Sequence, residues 1–528
     1  MTVVGYLRER PSPVLPQVSG DQATATRANP VDLARRVPPW CWPALLTMVL
    51  GCYQVGRPQL WRDELSSWSF ATRPLPSLIA TARHTGATQL AYYLLLHVWI
   101  SAFGDSVDAM RALSVLAMAA AAACVTAVGR SLAGTRAGLC SGLVFALVPS
   151  VSRFAQEVRF YSLEVLAAML ATLLLLRALD RPSARRWVAY AACLAVLGYI
   201  DLVALCVVAG HVAGVALRWY QDRDRRQLWF AAAAAAALAA CLPLAVLGSA
   251  QAANQVKWIP RPGFDLASFS VFGRNLFYST SVATALIVLA VLAWAVAWQR
   301  AAFMTAVAIL PVAAVWLASQ GPYSYFFPRY LLLTVGAWAV LAGIALSRLD
   351  LKIAVASLAV IAILGAGDQQ VIRAPGAHDW STYPVGQGRT YQGYAQAAQV
   401  VADQERPGDG IVYQSQAGED KWLMIGYGLE YYLARDLRPG TPLPHQLFIA
   451  ETGAQAHGLY PLPCPHPAAC LGAGSGSGEP RIWIVASGSP RSPYDALTRA
   501  QAALLRPHYR LTTVRHVPSL TVFLLVRT

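Results

Sequence analysis

The sequence has few charged residues. Asp, Glu, Lys and Arg make up 13% of its 528 residues, and only 27 residues are acidic. Because about a quarter of the residues in a soluble globular domain are charged, this composition excludes an ordinary soluble protein. Hydrophobic residues account for 56% of the chain and gather in long runs. A lipid bilayer is therefore the expected solvent.

Cysteine is scarce, and its placement excludes a metal or redox framework in most of the chain. Seven of the nine cysteines lie in apolar runs without metal-ligand spacing, where a thiol behaves as a small hydrophobic group. They are Cys41, Cys52, Cys124, Cys140, Cys193, Cys206 and Cys241. Cys464 and Cys470 lie in a polar, Pro-rich loop, where export would allow a disulfide. A disulfide and two free thiols both remain open there.

The formal net charge is +15, but its distribution excludes nucleic acid as a partner. The arginines form short clusters between apolar runs instead of one continuous stripe, as expected for cytosolic loops of a membrane protein. Residues 1–36 are polar and lack the apolar core of a removable signal peptide. We predict that they form a disordered cytosolic tail ending at Arg35 and Arg36.

Twelve apolar runs are long enough, or nearly long enough, to cross a bilayer. They are 40–56, 89–103, 112–129, 137–151, 161–176, 187–200, 202–217, 228–247, 281–298, 302–318, 331–345 and 353–366. Basic clusters lie at 177–186, 218–226, 300 and 348–352, and two apolar runs separate each cluster from the next, so all four are assigned to the cytosol. Five runs lie before the first cluster. Because the N-terminal tail is also cytosolic, one of these five cannot cross, and 88–104 is predicted to be an interfacial helix on the outer leaflet.

Eleven crossings result, with the N-terminus in the cytosol and the C-terminus outside. From about residue 369 the composition becomes polar and Gly/Pro-rich, with short apolar runs of strand length. The predicted organisation is a tail at 1–36, a transmembrane domain at 37–368 and an extracytoplasmic α/β domain at 369–528. The fold class is thus a polytopic α-helical membrane protein with about 11 transmembrane helices, located in the cell membrane.

Polar clusters in the outer loops all face the same side of the membrane, and the first contains Asp63 and Glu64. Carboxylates near the end of a spanning helix are costly unless they are solvated or paired. A carboxylate here could remove a proton from an acceptor hydroxyl, so both residues are candidate catalytic groups. In the alternative reading, Asp63 pairs with Arg62 or caps a helix.

A second cluster lies in a short outer loop and contains Gln156, Glu157, Arg159 and Tyr161. Arg159 could bind a phosphate, while Glu157 could orient a sugar hydroxyl or bind a metal. Gln156 and Tyr161 are candidate sugar or acceptor ligands beside them. An ion pair that anchors the loop is the structural alternative.

Two further outer loops each contain a cation beside aromatic residues. Arg329 and Tyr330 follow Phe326-Phe327-Pro328, and Lys257 precedes Trp258. They are candidate ligands of a lipid phosphate. Snorkelling to ordinary headgroups is the alternative for Arg329, and an interfacial belt is the alternative for Lys257.

Asp201 and His84 complete the candidate sugar- or acceptor-binding residues. Asp201 follows a helix at the outer face, where a solvated tight turn is the alternative. His84, His97 and His211 form no metal set by spacing, and a structural role is the alternative for each. No cofactor is assigned, and a divalent metal at Glu157 is left open.

In combination, these residues resemble the GT-C superfamily of glycosyltransferases, and within it the family-39-like enzymes related to protein O-mannosyltransferases and aminoarabinose transferases. The resemblance extends over about residues 40–350. The residues that carry it are Asp63-Glu64, the stretch 89–97, Phe103-Gly104-Asp105-Ser106, Arg111, the stretch 156–163 and Pro328-Arg329-Tyr330-Leu331.

The resemblance implies a GT-C-like fold and a polyprenyl-phosphate sugar donor. It implies that Asp63 is the base, that Arg329 binds the donor phosphate, and that mannose is the favoured sugar. The expected activity is inverting transfer to an extracytoplasmic glycan, lipid or protein acceptor, with membrane lipids as further partners.

Two other classes remain as alternatives. A lipid or sugar transporter would be expected to show internal repeats and polar residues at mid-membrane depth. A non-catalytic scaffold would tolerate substitution of Asp63.

Overall fold

The computed structural model describes residues 38–378, 391–414, 424–471 and 479–528. The predicted cytosolic tail at 1–36 lies outside the described residues. Each of the twelve apolar runs overlaps a helix, because a chain in lipid must satisfy its backbone hydrogen bonds within each segment.

The first part of the chain is helical. Its α-helices are α1 Cys41–Cys52, α2 Arg62–Ala71, α3 Leu75–His84, α4 Leu90–Phe103, α5 Val107–Ala133, α6 Thr135–Leu147, α7 Pro149–Ala155, α8 Tyr161–Asp180, α9 Ala184–Ile200, α10 Val207–Asp222, α11 Trp229–Gln255, α12 Leu266–Phe277, α13 Thr280–Ala318, α14 Val335–Leu346 and α15 Leu351–Val371. Short 3₁₀ segments precede several of them, including Pro328–Thr334 before α14.

Within the described ranges, seven helical segments are long and apolar enough to cross a membrane, or eight if the bent pair α6 and α7 is one span. Two apolar helices, Cys41–Cys52 and Ala87–Phe103, are shorter. The 39-residue α13 contains non-helical backbone at Ala297, where two helices meet at a kink. The multi-pass helical class is therefore confirmed. The count of eleven crossings, the orientation of the termini and the interfacial position of α4 stay predictions.

Close helix packing explains why small residues recur in the spans. A side chain at Gly138 of α6 would come within 2.5 Å of the Thr126 carbonyl oxygen in α5. Gly134 joins these two helices with φ +89°, a conformation that side chains disfavour. The chain can thus turn sharply and bring α6 against α5, as in other membrane bundles with small residues at the interface.

The rest of the described chain is an α/β region, as predicted. Its elements are α16 Tyr394–Ala402, β1 Gly410–Tyr413, α17 Ile425–Asp436, β2 His445–Gln446, β3 Ile449–Glu451, β4 Leu462–Pro463, α18 Pro467–Cys470, β5 Arg481–Ser487, α19 Arg499–Leu505, β6 Tyr509–Val517 and β7 Leu520–Arg527. Cys464 and Cys470 are joined in a disulfide.

Five of these strands form one mixed sheet in the order β2-β1-β5-β7-β6. β1 is parallel to β2 and β5, whereas β7 is antiparallel to β5 and β6. β5 is buried along nearly its whole length, in keeping with its continuous apolar sequence. β3 and β4 form a separate antiparallel pair.

The α/β region packs directly on α2. Tyr431 of α17 meets Trp68 edge to face at 5.2 Å between ring centroids, and the backbone N–H of Leu60 donates to the Tyr432 hydroxyl at 2.7 Å. Arg435 pairs with Asp105 at 2.6 Å. Residues 39–528 form one compact unit. A domain boundary at residue 369 stays a prediction.

Candidate active site

One large cavity brings together most of the sequence-predicted residues. Its volume is about 1550 Å³, and it lies between α2, the ends of α9 and α11, the 3₁₀ segment before α14, and residues 458–460. Seven predicted residues line it: Asp63, His84, Arg159, Asp201, Lys257, Arg329 and Tyr330. These positions are separated by up to 267 residues in the sequence, from Asp63 to Tyr330.

Asp63 and Arg329 form an ion pair in this cavity. An Nη1 of Arg329 lies 3.1 Å from an Asp63 carboxylate oxygen, and the side chains are 11% and 23% exposed, respectively. The Nε of Arg62 is more distant, at 3.9 Å from the other carboxylate oxygen of Asp63. Burial by itself would raise the pKa of Asp63, but Arg329, Arg159 and Arg62 together lower it. Asp63 is therefore a carboxylate at neutral pH and reaches the cavity.

The helix that carries Asp63 begins abruptly. Trp61 has extended backbone, and α2 starts at Arg62. The backbone N–H of Trp61 donates to Glu64 at 3.3 Å, as in a capping box. Asp63 and Glu64 thus lie in the first turn, where the helix dipole stabilises negative charge. This start fixes the direction of both carboxylates.

Arg329 is held among aromatic rings. Its guanidinium carbon lies 5.0 Å from the ring centroid of Phe327, 5.5 Å from that of Trp61 and 5.9 Å from that of Trp258. Pro328 begins the 3₁₀ segment and places Arg329 at its first turn. The Nε of Arg329 has no hydrogen-bond partner among the described residues. The aromatic rings and the 3₁₀ segment therefore fix the guanidinium at the cavity wall.

Arg159 reaches the cavity from the loop between α7 and α8. It is 6% exposed, and its Nη1 donates to the Ser67 hydroxyl at 3.4 Å. Within the described part of the chain, its Nε also lacks an acceptor. Lys257 and Arg62 are further cations of the cavity wall. Among the described residues, the lining therefore combines two carboxyl groups, Asp63 and Asp201, with four cations.

Asp201 follows α9 and is 8% exposed. One carboxylate oxygen accepts from the Val203 backbone N–H at 3.0 Å, whereas the other has no partner in the residues described. Burial raises the pKa of Asp201 to about 7, against the lowering effects of the Val203 N–H and Arg159. Asp201 can therefore change protonation near neutral pH.

Glu64, although adjacent to Asp63, lies outside the cavity lining. It is fully buried and accepts from the Nε and Nη2 of Arg111 at 2.9 Å and 2.8 Å. It also accepts from the Val158 backbone N–H at 2.9 Å. Burial opposes ionisation, but Arg111 holds the pKa of Glu64 below its usual range. Its contacts tie α2 to α5 and to the loop that carries Arg159.

Gln156, Glu157 and Tyr161 also lie behind the cavity wall. The amide of Gln156 donates to the carbonyl oxygens of Gly51 and Tyr53 at 2.9 Å and 2.8 Å. Glu157 pairs with Arg153 at 2.9 Å and accepts from the Trp61 indole at 3.0 Å. These contacts match the loop-anchoring alternative. Tyr161 is buried, with the guanidinium carbon of Arg329 5.9 Å from its ring centroid.

Sequence reasoning missed the partners of the buried carboxylates. Arg111 carries part of the family resemblance, and neither Arg111 nor Arg153 is among the candidate site residues. Both are buried arginines next to apolar runs, and that placement is the signal that could have identified them. Among the described residues, no group of three or more His, Cys, Asp or Glu side chains is arranged to bind a metal.

Known proteins resemble the chain in part of its sequence and in its fold. A sequence model of the dolichyl-phosphate-mannose-protein mannosyltransferase family matches residues 89–247. The structure of ArnT from Cupriavidus metallidurans bound to undecaprenyl phosphate is similar, with a TM-score of 0.55 and 16% identity over 92% of this chain and 97% of that chain. The apo state of the same protein has a TM-score of 0.56, with the same identity and coverage. No curated protein sequence matches the chain.

The match of residues 89–247 to this mannosyltransferase family and the ArnT-like multi-pass fold together indicate a membrane glycosyltransferase. The chain is similar to GT-C enzymes in that segment and in its fold.

Proposed function

We propose that the protein transfers a sugar, with mannose favoured, from a polyprenyl-phosphate donor to an extracytoplasmic acceptor with inversion of the anomeric carbon. The observation that carries the proposal is the Asp63–Arg329 pair within the large cavity. It places a carboxylate suited to act as a base beside a cation suited to bind a phosphate. The dolichyl-phosphate-mannose description of the matching family supports the donor class and the sugar.

The reaction needs one bond to form and one to break. The acceptor oxygen attacks the anomeric carbon, its proton passes to the Asp63 carboxylate, and the bond from the anomeric carbon to the phosphate oxygen breaks. Polyprenyl phosphate then leaves with the electron pair. Arg329 and Arg159, which both line the cavity, would neutralise its growing charge.

The cavity wall on the membrane side supports a lipid-linked donor. Small and apolar residues of α11 and α13 line it, and a polyprenyl chain could lie along them. They are Ala245, Gly248, Ala252, Ala253, Ala314, Val315 and Ala318. Lys257 follows α11, so a phosphate could reach the cations while its tail stays in lipid. ArnT, which has a similar fold, was crystallised with undecaprenyl phosphate.

The remaining candidates divide between two roles. Asp201 and His84 line the cavity and are proposed sugar or acceptor ligands, and Tyr330 is a proposed donor ligand. Glu64, Gln156, Glu157 and Tyr161 are proposed to position the cavity residues through their buried contacts.

The test is sugar transfer by the purified protein in lipid. Radiolabelled polyprenyl-phosphate-mannose is supplied with a cell-envelope extract as acceptor, and polyprenyl-phosphate-glucose serves as the competing donor. The proposal expects consumption of the mannose donor and a product of inverted configuration. A protein that consumes neither donor contradicts it, whereas preference for the glucose donor contradicts only the choice of sugar.

A further inference from the structure

A loop of the α/β region forms part of the cavity wall beside Asp63. This loop, residues 452–460, contributes Gly458, Leu459 and Tyr460 to the cavity lining. On the same wall, α2 contributes Asp63 and Ser66. The candidate base is therefore enclosed by two parts of the chain that are almost 400 residues apart in sequence.

The loop is fixed to the α2–α3 connection through Arg73. This arginine is 5% exposed, and its Nη1 donates to the Gly458 carbonyl oxygen at 2.9 Å and the Gly453 carbonyl oxygen at 3.4 Å. Its Nε donates to the Ser69 carbonyl oxygen at 3.0 Å, within the last turn of α2. Arg73 thus links the loop to the C-terminal end of the helix that carries Asp63.

Further contacts fix the loop at both ends. The Ser77 hydroxyl of α3 donates to the Ala454 carbonyl oxygen at 3.0 Å, and the Tyr427 hydroxyl of α17 donates to the Leu459 carbonyl oxygen at 2.7 Å. A side chain at Gly453 would come within 2.6 Å of the Tyr427 hydroxyl, so the packing requires glycine there. The loop has a defined position against α2, which a specificity element needs.

The loop and two of the proposed phosphate ligands reach the cavity from different parts of the fold. Lys257 follows α11 and Arg329 precedes α14, so these two cations come from the membrane part. Tyr460 comes from the α/β region, and both Arg62 and Asp63 act on its phenol electrostatically. An acceptor hydroxyl must reach Asp63 without displacing the donor phosphate. Gly458, Leu459 and Tyr460 add no cation to the lining, so an acceptor bound against them does not compete with the phosphate for one.

We propose that loop 452–460 is the acceptor-binding wall of the cavity, and that the half-buried ring of Tyr460 positions the acceptor against Asp63. The inference rests on the proposed function and deepens it. It adds the α/β region to the proposed acceptor ligands, and leaves donor binding to the membrane part. Water competes with the acceptor for the anomeric carbon, so this wall sets the ratio of transfer to donor hydrolysis.

The experiment measures both fates of radiolabelled polyprenyl-phosphate-mannose in one assay: transfer to a cell-envelope extract and release of free mannose. Tyr460→Ala is expected to lower transfer about tenfold, the size of effect that loss of one aromatic contact can have, while hydrolysis stays close to wild type. Tyr460→Phe keeps the ring and is expected to retain most of the transfer. Tyr220→Ala, at a tyrosine that is 69% exposed on α10, is the matched control.

The outcomes separate the two proposals. If wild type transfers the sugar and Tyr460→Ala transfers it equally well, the inference is overturned alone. A parallel loss of transfer and hydrolysis in both Tyr460 variants also overturns it, because a general structural role would affect both. A wild-type protein that consumes no donor overturns the proposed function and the inference together.

Discussion

Two layers of charged residues lie on either side of the first turn of α2. They differ in whether their side chains remain accessible from the cavity. In the cavity, Asp63 pairs with Arg329 while both side chains remain partly exposed. Behind the wall, the Glu64–Arg111 pair is fully buried and shares two close contacts. Adjacent carboxylates thus have different neighbours because successive residues on a helix point about 100° apart. One layer can exchange partners with a substrate, and the other holds the first layer in place.

The largest expected effect is a loss of sugar transfer when the cavity layer is changed at Asp63. Asp63→Asn removes the base and should lower sugar transfer by roughly 10²–10⁴-fold, with little change in the thermal unfolding midpoint. The asparagine has almost the same shape, so the cavity should remain intact. Radiolabelled transfer and the unfolding midpoint are measured on the same preparation. Activity within twofold of wild type would place the base elsewhere.

Substitution in the buried layer should lower the stability of the protein. Arg111→Met leaves Glu64 buried without its partner, which is expected to cost about 3–5 kcal/mol. The double variant Arg111→Met with Glu64→Leu removes both charges and should recover much of that loss. Thermal unfolding in detergent checks both. If the single variant is as stable as wild type, the pair has no anchoring role.

A smaller effect is expected for the phosphate ligand. Arg329→Gln removes a charge-assisted contact, and the donor KM should rise roughly 10–100-fold. Arg329→Lys keeps the charge but loses the planar fork, so an intermediate KM is expected. If Arg329→Gln leaves the donor KM unchanged and lowers kcat, Arg329 acts on Asp63 and does not bind the donor phosphate.

The smallest effect concerns pH. The pKa of Asp201 is raised to about 7 by burial, so its carboxylate is present above that pH and is lost as the pH falls through it. A sugar hydroxyl donates better to the carboxylate, and the donor KM should rise severalfold below about pH 7. Asp201→Asn should remove this dependence. A pH profile of KM that is the same in both proteins would exclude Asp201 as a ligand.

Several elements followed directly from the sequence, because long apolar runs have few structures available in lipid. The helices at 161–176 and 353–366 are examples, and the buried strand β5 was visible as the apolar run 481–486. Strand β6 was missed. Most of its residues are exposed, and Leu511, Val514 and Val517 are three residues apart, so no apolar alternation marked it.

The site could be predicted only in part. Sequence placed Asp63, Arg159 and Arg329 on one side of the membrane, and all three line the cavity. The family resemblance assigned the base to Asp63, but the residues alone could not separate Asp63 from Glu64, because the partner of Glu64 is Arg111, 47 residues away. Nor could it identify Tyr460, because the packing of the α/β region on α2 brings that residue to the cavity.

The most direct test of the division into two layers is turnover per folded molecule for Asp63→Asn and Glu64→Gln, measured side by side with their unfolding midpoints. The account predicts that Asp63→Asn is folded and inactive. It predicts that Glu64→Gln is less stable, yet retains much of its turnover once corrected for the folded fraction. A folded, stable and inactive Glu64→Gln beside an active Asp63→Asn would contradict the account, because the buried carboxylate would then be the one that reaches the substrate.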